Sequence, residues 1–102
     1  MLEPKTALCA DEASLASLAD FYRVFADETR IRILGELLGG EKCVLDIANS
    51  LGLTHSAVSH QLKTLRERRL VSFRRDGKSI RYSIADDHIS SILAQGIEHI
   101  GE

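Results

Sequence analysis

The fold of this chain is most visible in residues 44–68, which read VLDIANSLGLTHSAVSHQLKTLRER. Apolar side chains recur at helical spacing over Val44–Ser50, and Gly52 marks a turn after them. The hydroxyl of Thr54 can then cap a second helix that runs to about Arg68. Two short helices joined in this way are typical of the helix-turn-helix motif, whose second helix enters the major groove of DNA.

The helix-turn-helix pair divides its side chains between an inner apolar face and an outer polar face. The inner positions are Ala48, Leu51, Leu53, Val58, Leu62 and Leu65. Polar residues, Gln61 among them, cluster in the N-terminal half of the second helix, which is the end that reaches base edges. The predicted DNA contacts on this helix are His55, Ser56, Ser59, His60 and Lys63.

A β-hairpin follows the second helix. Apolar and polar residues alternate over Leu70–Arg74 and over Ser79–Ile84, and Asp76-Gly77 between them is a strong hairpin-turn signal. This pattern predicts a two-stranded wing. The basic residues at or near its tip are Arg75, Lys78 and Arg81. Because flexible cations there can neutralise phosphates, we predict backbone contacts to DNA from Arg75 and Lys78.

Two more helices precede the motif. Apolar residues recur at helical spacing across Ser14–Phe25 and across Arg30–Leu38, where Asp27 offers an N-cap and Gly39-Gly40 ends the helix. We therefore expect a mainly α protein with a small β-hairpin, arranged as a winged helix-turn-helix. The 102 residues, 1–102, are expected to form a single domain, in the size range where pairing with a second copy helps.

The charge distribution supports a nucleic-acid partner. The net charge is -2, and the apolar fraction of 44% and charged fraction of 27% are ordinary for a globular protein. The stretch His60–Tyr82, however, contains eight basic residues against two acidic ones, while the remainder of the chain is acidic. A local basic surface of this kind is what a groove-binding element requires.

The chain lacks the signals of export and of membrane insertion. No basic cluster followed by an apolar run occurs in Met1–Glu12, and no stretch approaches the roughly 20 apolar residues of a spanning helix. Two cysteines are too few for a disulfide framework. We therefore expect a cytoplasmic protein in a reducing environment, with no membrane partner.

The C-terminal residues carry metal-ligand side chains in the arrangement Asp86-x-His88, ten residues, His99-x-x-Glu102. The two imidazoles lie on one helical face but about 16 Å apart along the axis, so one ion cannot bridge them. If two copies of the helix run antiparallel, Asp86 and His88 of one chain meet His99 and Glu102 of the other. The spacing therefore predicts a homodimer with two closed zinc-type sites, which are structural or regulatory rather than catalytic.

Three stretches resemble the ArsR/SmtB family of metal-sensing winged-helix repressors: FADETRIRIL at 25–34, EKCVLDIA at 41–48 and SAVSHQLKTL at 56–65. With the C-terminal ligands, the resemblance covers nearly the whole chain. It implies a dimer built on the first and last helices. Such a dimer would bind palindromic operator DNA without metal and release it when metal binds.

The resemblance also bears on the choice of metal. In the zinc- and cobalt-sensing branch of the family, the ligands occupy the positions of Asp86, His88, His99 and Glu102, which implies zinc or cobalt here. It further implies that the second ring nitrogen of His99 contacts a backbone carbonyl near Arg69 and so links metal to DNA affinity. A contact of this kind also fixes the tautomer of the imidazole.

A second metal site, for thiophilic ions, uses a thiolate pair in the third helix of some family members. This chain has Cys43 and Asp46 there, but Leu45 replaces the second cysteine. Cys9 of the N-terminal arm would have to complete such a site together with Cys43 and Asp46 of the partner chain. The alternative is that Cys43 is a small buried apolar residue and Cys9 a free thiol.

Other functions compete with metal-responsive repression. A thiol-based repressor, redox-responsive or responsive to thiophilic metals, would use Cys9 and Cys43 as its switch and would make the C-terminal ligands accidental. A constitutive DNA-binding protein would have no effector, and its C-terminal histidines would lie on a solvated helix face. An enzyme is disfavoured, because the chain has no His-Glu-x-x-His helix and no glycine-rich phosphate loop.

Overall fold

The structure, a computed structural model, describes residues 11–102. In chain order its elements are α1 (Glu12–Arg23), a 3-10 turn (Val24–Ala26), α2 (Glu28–Leu37), β1 (Lys42–Cys43), α3 (Val44–Leu51), α4 (His55–Glu67), β2 (Val71–Asp76), β3 (Ser79–Ile84) and α5 (Asp87–Ile100). The arrangement is mainly helical with a small antiparallel sheet, as the sequence predicts. Within residues 11–102 the helices are too short or too polar to span a membrane.

Side-chain caps explain where most of the helices begin. The N-cap residues of α1, α2, α4 and α5 are Asp11, Asp27, Thr54 and Asp86, and each accepts a hydrogen bond from a backbone N–H two or three residues further along. Helix α3 follows Cys43, whose side chain makes no capping hydrogen bond. The caps predicted at Asp27 and Thr54 are therefore confirmed, and each satisfies a backbone donor that the helix itself leaves unpaired.

The core is entirely apolar within the described residues. Its members come from the 3-10 turn, from helices α2 to α5 and from the segment at the start of β2. They are Val24, Ile33, Leu34, Leu37, Ile47, Ala48, Val58, Leu62, Leu65, Leu70, Val71, Ile89 and Leu93. Helix α4 contributes the residues at positions i, i+4 and i+7 of its inner face, Val58, Leu62 and Leu65. Burial of this face fixes which side of α4 remains available to DNA.

The wing has three strands, so the predicted two-stranded hairpin is incomplete. The strand order is β1-β3-β2, and β1 pairs antiparallel with β3 through Lys42 opposite Tyr82 and Cys43 opposite Arg81. Strand β1 is only two residues long, which is too short for alternation to reveal. Arg81, predicted at or near the tip, lies inside β3 in the third residue pair from the turn, opposite Arg74.

Left-handed backbone conformations end α3 and α4. Gly52 follows α3 with φ 67°, and this residue makes the tight turn of the helix-turn-helix motif. Arg69 follows α4 with φ 64°, a backbone conformation that residues other than glycine rarely adopt. The N–H of Leu70 donates to the carbonyl of Leu65 at 2.9 Å, and the N–H of Arg69 donates to that of Arg66 at 3.0 Å. This is the Schellman pattern of helix termination.

Candidate nucleic-acid interface and metal ligands

Helix α4 presents its predicted DNA contacts in two groups. Ser56, His60 and Lys63 are exposed on the outer face of the helix, opposite the buried residues. His55 and Ser59 instead line a cleft of about 540 Å³ between α4 and the wing, where Lys78 of the β2–β3 turn also contributes. The structure thus brings His55 and Ser59 of α4 to the same cleft as Lys78 of the wing, whereas the other predicted contacts, Ser56, His60, Lys63 and Arg75, do not line it.

One outer-face residue of α4 has a different role from the one that its pattern suggests. Gln61 is half-buried, and its side-chain oxygen accepts a hydrogen bond from Arg30 Nε of α2 at 3.1 Å. The two residues are 31 positions apart, and no local pattern in the sequence signals this contact. Arg30 therefore attaches α4, the recognition helix that is predicted to enter the major groove, to α2.

Half of the basic residues between His60 and Tyr82 are engaged within the protein. The guanidinium carbon of Arg66 lies 4.6 Å from the ring centroid of Phe73. Three ion pairs are Arg68 with Asp20, Arg74 with Glu41, and Arg81 with Asp76. Two of the acidic partners, Asp20 and Glu41, lie outside the stretch His60–Tyr82. A count of charges within that stretch therefore overestimates its free positive charge.

The other basic residues of this stretch are available to a ligand. They are Lys63, Arg69, Arg75 and Lys78, and none forms an ion pair with another residue in 11–102. Arg75 and Lys78 flank the hairpin turn at Gly77, and Lys63 lies on the outer face of α4. Unpaired cations on the wing and on the recognition helix are suited to contacts with phosphate groups.

The four C-terminal ligand candidates form two pairs at opposite ends of α5. The Asp86 carboxylate contacts His88 Nδ1, and it also accepts the His88 backbone N–H at 3.1 Å. At the other end, His99 Nδ1 lies 3.4 Å from a Glu102 carboxylate oxygen. Within one chain, residues 11–102 contain no group of three or more ligand side chains that could hold a metal ion. Each end of α5 therefore offers two candidate ligand side chains.

The C-terminal half of α5 extends beyond its own core. Ile89 and Leu93 are buried, but every residue from Ala94 onward is exposed. Ile97 is 63% exposed and Ile100 82% exposed, which is unusual for two large apolar side chains beside each other on a helix. Helix α1 likewise has no buried residue. Helices α1 and α5 therefore both have apolar residues that the described part of a single chain leaves uncovered.

The cysteine site remains a prediction. Cys9 lies outside the described residues. Cys43 is half-buried immediately before α3, where it lines the cleft between the wing and α4. Asp46 is exposed in the first turn of α3. Among the described residues these two have no third ligand beside them.

A helix-turn-helix with an outward-facing polar helix and a basic wing defines a winged-helix DNA-binding domain. A model described as "Bacterial regulatory protein, arsR family" matches residues 27–72, and the chain belongs to this family. It is 40% identical over 85 residues to the "Transcriptional repressor SmtB homolog" of Synechocystis sp.. That match covers 83% of this chain and 64% of the relative, so the chain spans less than two thirds of that protein.

Two solved structures are similar over most of the chain and confirm the winged helix-turn-helix fold. The crystal structure of the AntR antimony-specific transcriptional repressor gives a TM-score of 0.79 at 32% identity, covering 99% of this chain and 94% of that one. A homodimeric winged helix-turn-helix DNA-binding domain from Mycobacterium bovis, a possible ArsR-family transcriptional regulator, gives 0.76 at 28% identity, covering 99% and 87%.

Proposed function

We propose that this protein is a metal-responsive transcriptional repressor. As a metal-free homodimer it binds palindromic operator DNA, and zinc or cobalt at the C-terminal helices releases it. The observation that carries this proposal is the pairing of ligand candidates at the two ends of α5, one pair at the end packed on the core and the other at the exposed end. The alternative is a thiol-based repressor, and the zinc responses of Cys9→Ser and Cys43→Ser variants distinguish the two functions.

The donor set suits zinc. Two imidazoles and two carboxylates make a four-ligand site of the kind that zinc accepts. The side chains of His88 and His99 are 67% and 84% exposed, so their ring nitrogens are accessible to an ion. A second copy of the chain would supply the missing pair, and the uncovered apolar faces of α1 and α5 provide the surface for its association. Bound zinc would supply charge and fixed geometry between the two chains.

Operator binding would use the surface between α4 and the wing. Ser56, His60 and Lys63 would meet base edges or adjacent phosphates in the major groove, with His55 and Ser59 at the cleft side. Arg75 and Lys78 would contact phosphates. Zinc can lower operator affinity only by binding the DNA-free arrangement of the dimer more tightly, and the operator must weaken zinc binding by the same factor.

A mixed dimer tests whether ligands are shared between chains. His88→Ala and His99→Ala chains carrying different affinity tags are co-expressed, and the heterodimer is purified. One of its two sites then lacks both imidazoles, whereas the other keeps all four ligands. We expect one zinc per heterodimer with an affinity close to wild type. Each homodimeric variant should bind zinc much more weakly than wild type, because it has lost a ligand. The loss of affinity should exceed the roughly 10- to 100-fold that follows when only the hydrogen-bond partner of a ligand is removed.

The results that contradict the proposal are distinct. A heterodimer that binds zinc as poorly as both homodimers would exclude sharing across the dimer. Homodimers that keep wild-type affinity would exclude these histidines as ligands. If the Cys9→Ser and Cys43→Ser variants lose the zinc response and the histidine variants keep it, the thiol-based alternative is correct. Cobalt spectra give an independent reading, since thiolate ligands produce intense charge-transfer bands that imidazole and carboxylate ligands lack.

A further inference from the structure

The wing has little hydrophobic attachment to the rest of the protein. Only Val71 of β2 is buried, and the remaining five residues of that strand are exposed. Strand β3 is half-buried throughout, and Tyr82 and Ile84 are its residues that pack against the core. Because a packed core does not fix the outer part of the hairpin, its orientation relative to α4 must depend on other contacts.

Two acidic and two basic residues form two ion pairs at the three-stranded sheet. Glu41, which precedes β1, accepts two hydrogen bonds from Arg74, from Nε and from Nη2, both at 2.8 Å. Arg81 lies directly opposite Arg74 in the strand register, and its Nε lies 3.3 Å from Asp76. Two arginines in direct opposition would repel each other without these carboxylates. We call these four residues the wing network.

The wing network is assembled around Glu41. The hydrogen bonds from Arg74, together with the nearby charge of Arg81, lower the pKa of Glu41. Glu41 is joined directly to β1, which leads into α3, whereas Arg74 belongs to the strand that ends at the wing tip. A bidentate pair is directional, since both guanidinium hydrogens must meet both carboxylate oxygens. The pair therefore attaches β2, which leads to the wing tip, to the segment that continues through β1 into α3.

We propose that Glu41 is a positioning residue for operator binding, which holds the wing at the angle that brings Arg75 and Lys78 to the phosphates beside the groove. This proposal rests on operator binding by the metal-free dimer and is independent of the zinc response. Glu41 itself is acidic and would repel DNA. Simple electrostatics and positioning therefore predict opposite effects of removing it.

The sign of the change in operator affinity provides the test. Glu41→Ala is compared with Glu67→Ala, which removes the same charge from an exposed position of α4 that forms no ion pair within the described residues. Operator affinity is measured by fluorescence anisotropy in metal-free buffer, on a duplex obtained by in-vitro selection. We expect Glu41→Ala to weaken binding about threefold to fivefold, the upper range for one exposed ion pair. Glu67→Ala should leave binding unchanged or tighten it.

Rescue distinguishes positioning from loss of folding. The double variant Glu41→Arg with Arg74→Glu keeps the net charge and restores an ion pair of reversed polarity, so it should bind the operator more tightly than Glu41→Ala does. Hydrogen exchange in Glu41→Ala should speed up at β2 and β3 amides while core amides of α4 stay protected.

Two results would overturn the proposal. The first is tighter binding by Glu41→Ala, matching Glu67→Ala, and the second is unchanged hydrogen exchange in the wing. Failure of the wild-type protein to bind any selected duplex would instead contradict the proposed function.

Discussion

The backbone N–H of Ala85 donates a hydrogen bond to the carbonyl oxygen of Leu70 at 3.0 Å. Ala85 immediately precedes Asp86, the first ligand candidate, and Leu70 follows the recognition helix after Arg69. The N–H of Leu70 in turn donates to the carbonyl of Leu65, inside that helix. Two consecutive backbone hydrogen bonds thus lead from the start of α5 to the end of α4.

The first prediction is that this connection carries part of the zinc response. Ala85→Pro removes the N–H and should cost about 1 kcal/mol of folding stability, the usual contribution of one hydrogen bond. The variant should still bind the operator without metal, but zinc should release it less completely than it releases the wild type. Ala85→Ser keeps the N–H and serves as the control. Operator affinity is measured by anisotropy titration with and without zinc. If zinc releases Ala85→Pro from the operator as completely as wild type, the hydrogen bond from Ala85 to Leu70 does not transmit the zinc response.

The second prediction separates the two roles of Asp86. Its carboxylate caps α5 and is also a proposed ligand. Asparagine caps helices about as well as aspartate, so Asp86→Asn should leave thermal stability near wild type and still weaken zinc binding. Asp86→Ala should weaken zinc binding equally and also lose about 1 kcal/mol of stability. Equal zinc affinity in Asp86→Asn and wild type would show that the residue serves only as a cap.

The third prediction concerns how the DNA surface is divided. His60→Ala should reduce discrimination between the selected duplex and a scrambled one about tenfold, in the range for a lost base contact. Lys78→Ala should weaken both duplexes alike and lower the slope of log affinity against log salt by about one. Arg32→Ala is the matched control, because Arg32 lies on α2 and is paired with Glu28. Equal slope changes for Lys78→Ala and Arg32→Ala would refute this division.

The fourth prediction uses the left-handed residue after α4. Arg69 adopts φ 64°, which costs an L-residue about 1 kcal/mol and costs glycine almost nothing. Arg69→Gly should therefore be more stable to urea than Arg69→Ala by about 1 kcal/mol, since both lose the same charge and only glycine relieves the backbone. Both should bind DNA more weakly than wild type if the unpaired Arg69 contacts phosphate. Equal stability of the two variants would remove the backbone argument.

Sequence patterns predict the elements of this fold well wherever the signal is local. The period of apolar residues locates α4, and the hydroxyl of Thr54 and the carboxylate of Asp27 mark helix starts that the structure confirms. The turn at Gly77 is equally local, because the hairpin needs its positive φ there. The structure also brings Asp86 beside His88 and His99 near Glu102, because each pair is separated by one turn or less.

Long-range contacts are the part that sequence patterns miss. Strand β1 pairs with residues 38 and 40 positions away, and Arg30 of α2 contacts Gln61 of α4. Such contacts depend on how helices pack, which no local pattern encodes. For the same reason, the excess of basic residues in the wing region does not reveal that Arg74 is paired with Glu41, which lies 33 positions earlier in the chain. Whether the two ligand pairs meet across a dimer is likewise a question about a second chain.

The apolar core has a consequence for how such proteins diversify. Among residues 11–102, no polar or charged side chain is buried, and the ligand candidates lie on the outside of a helix. Substitutions at exposed positions usually change folding stability by less than about 0.5 kcal/mol, unless the residue caps a helix as Asp86 does. Exchange of the other three candidates, His88, His99 and Glu102, would therefore leave the packed interior undisturbed. On this scaffold the side chains at the two ends of α5 can change while the shape of the DNA-binding helix α4 stays the same.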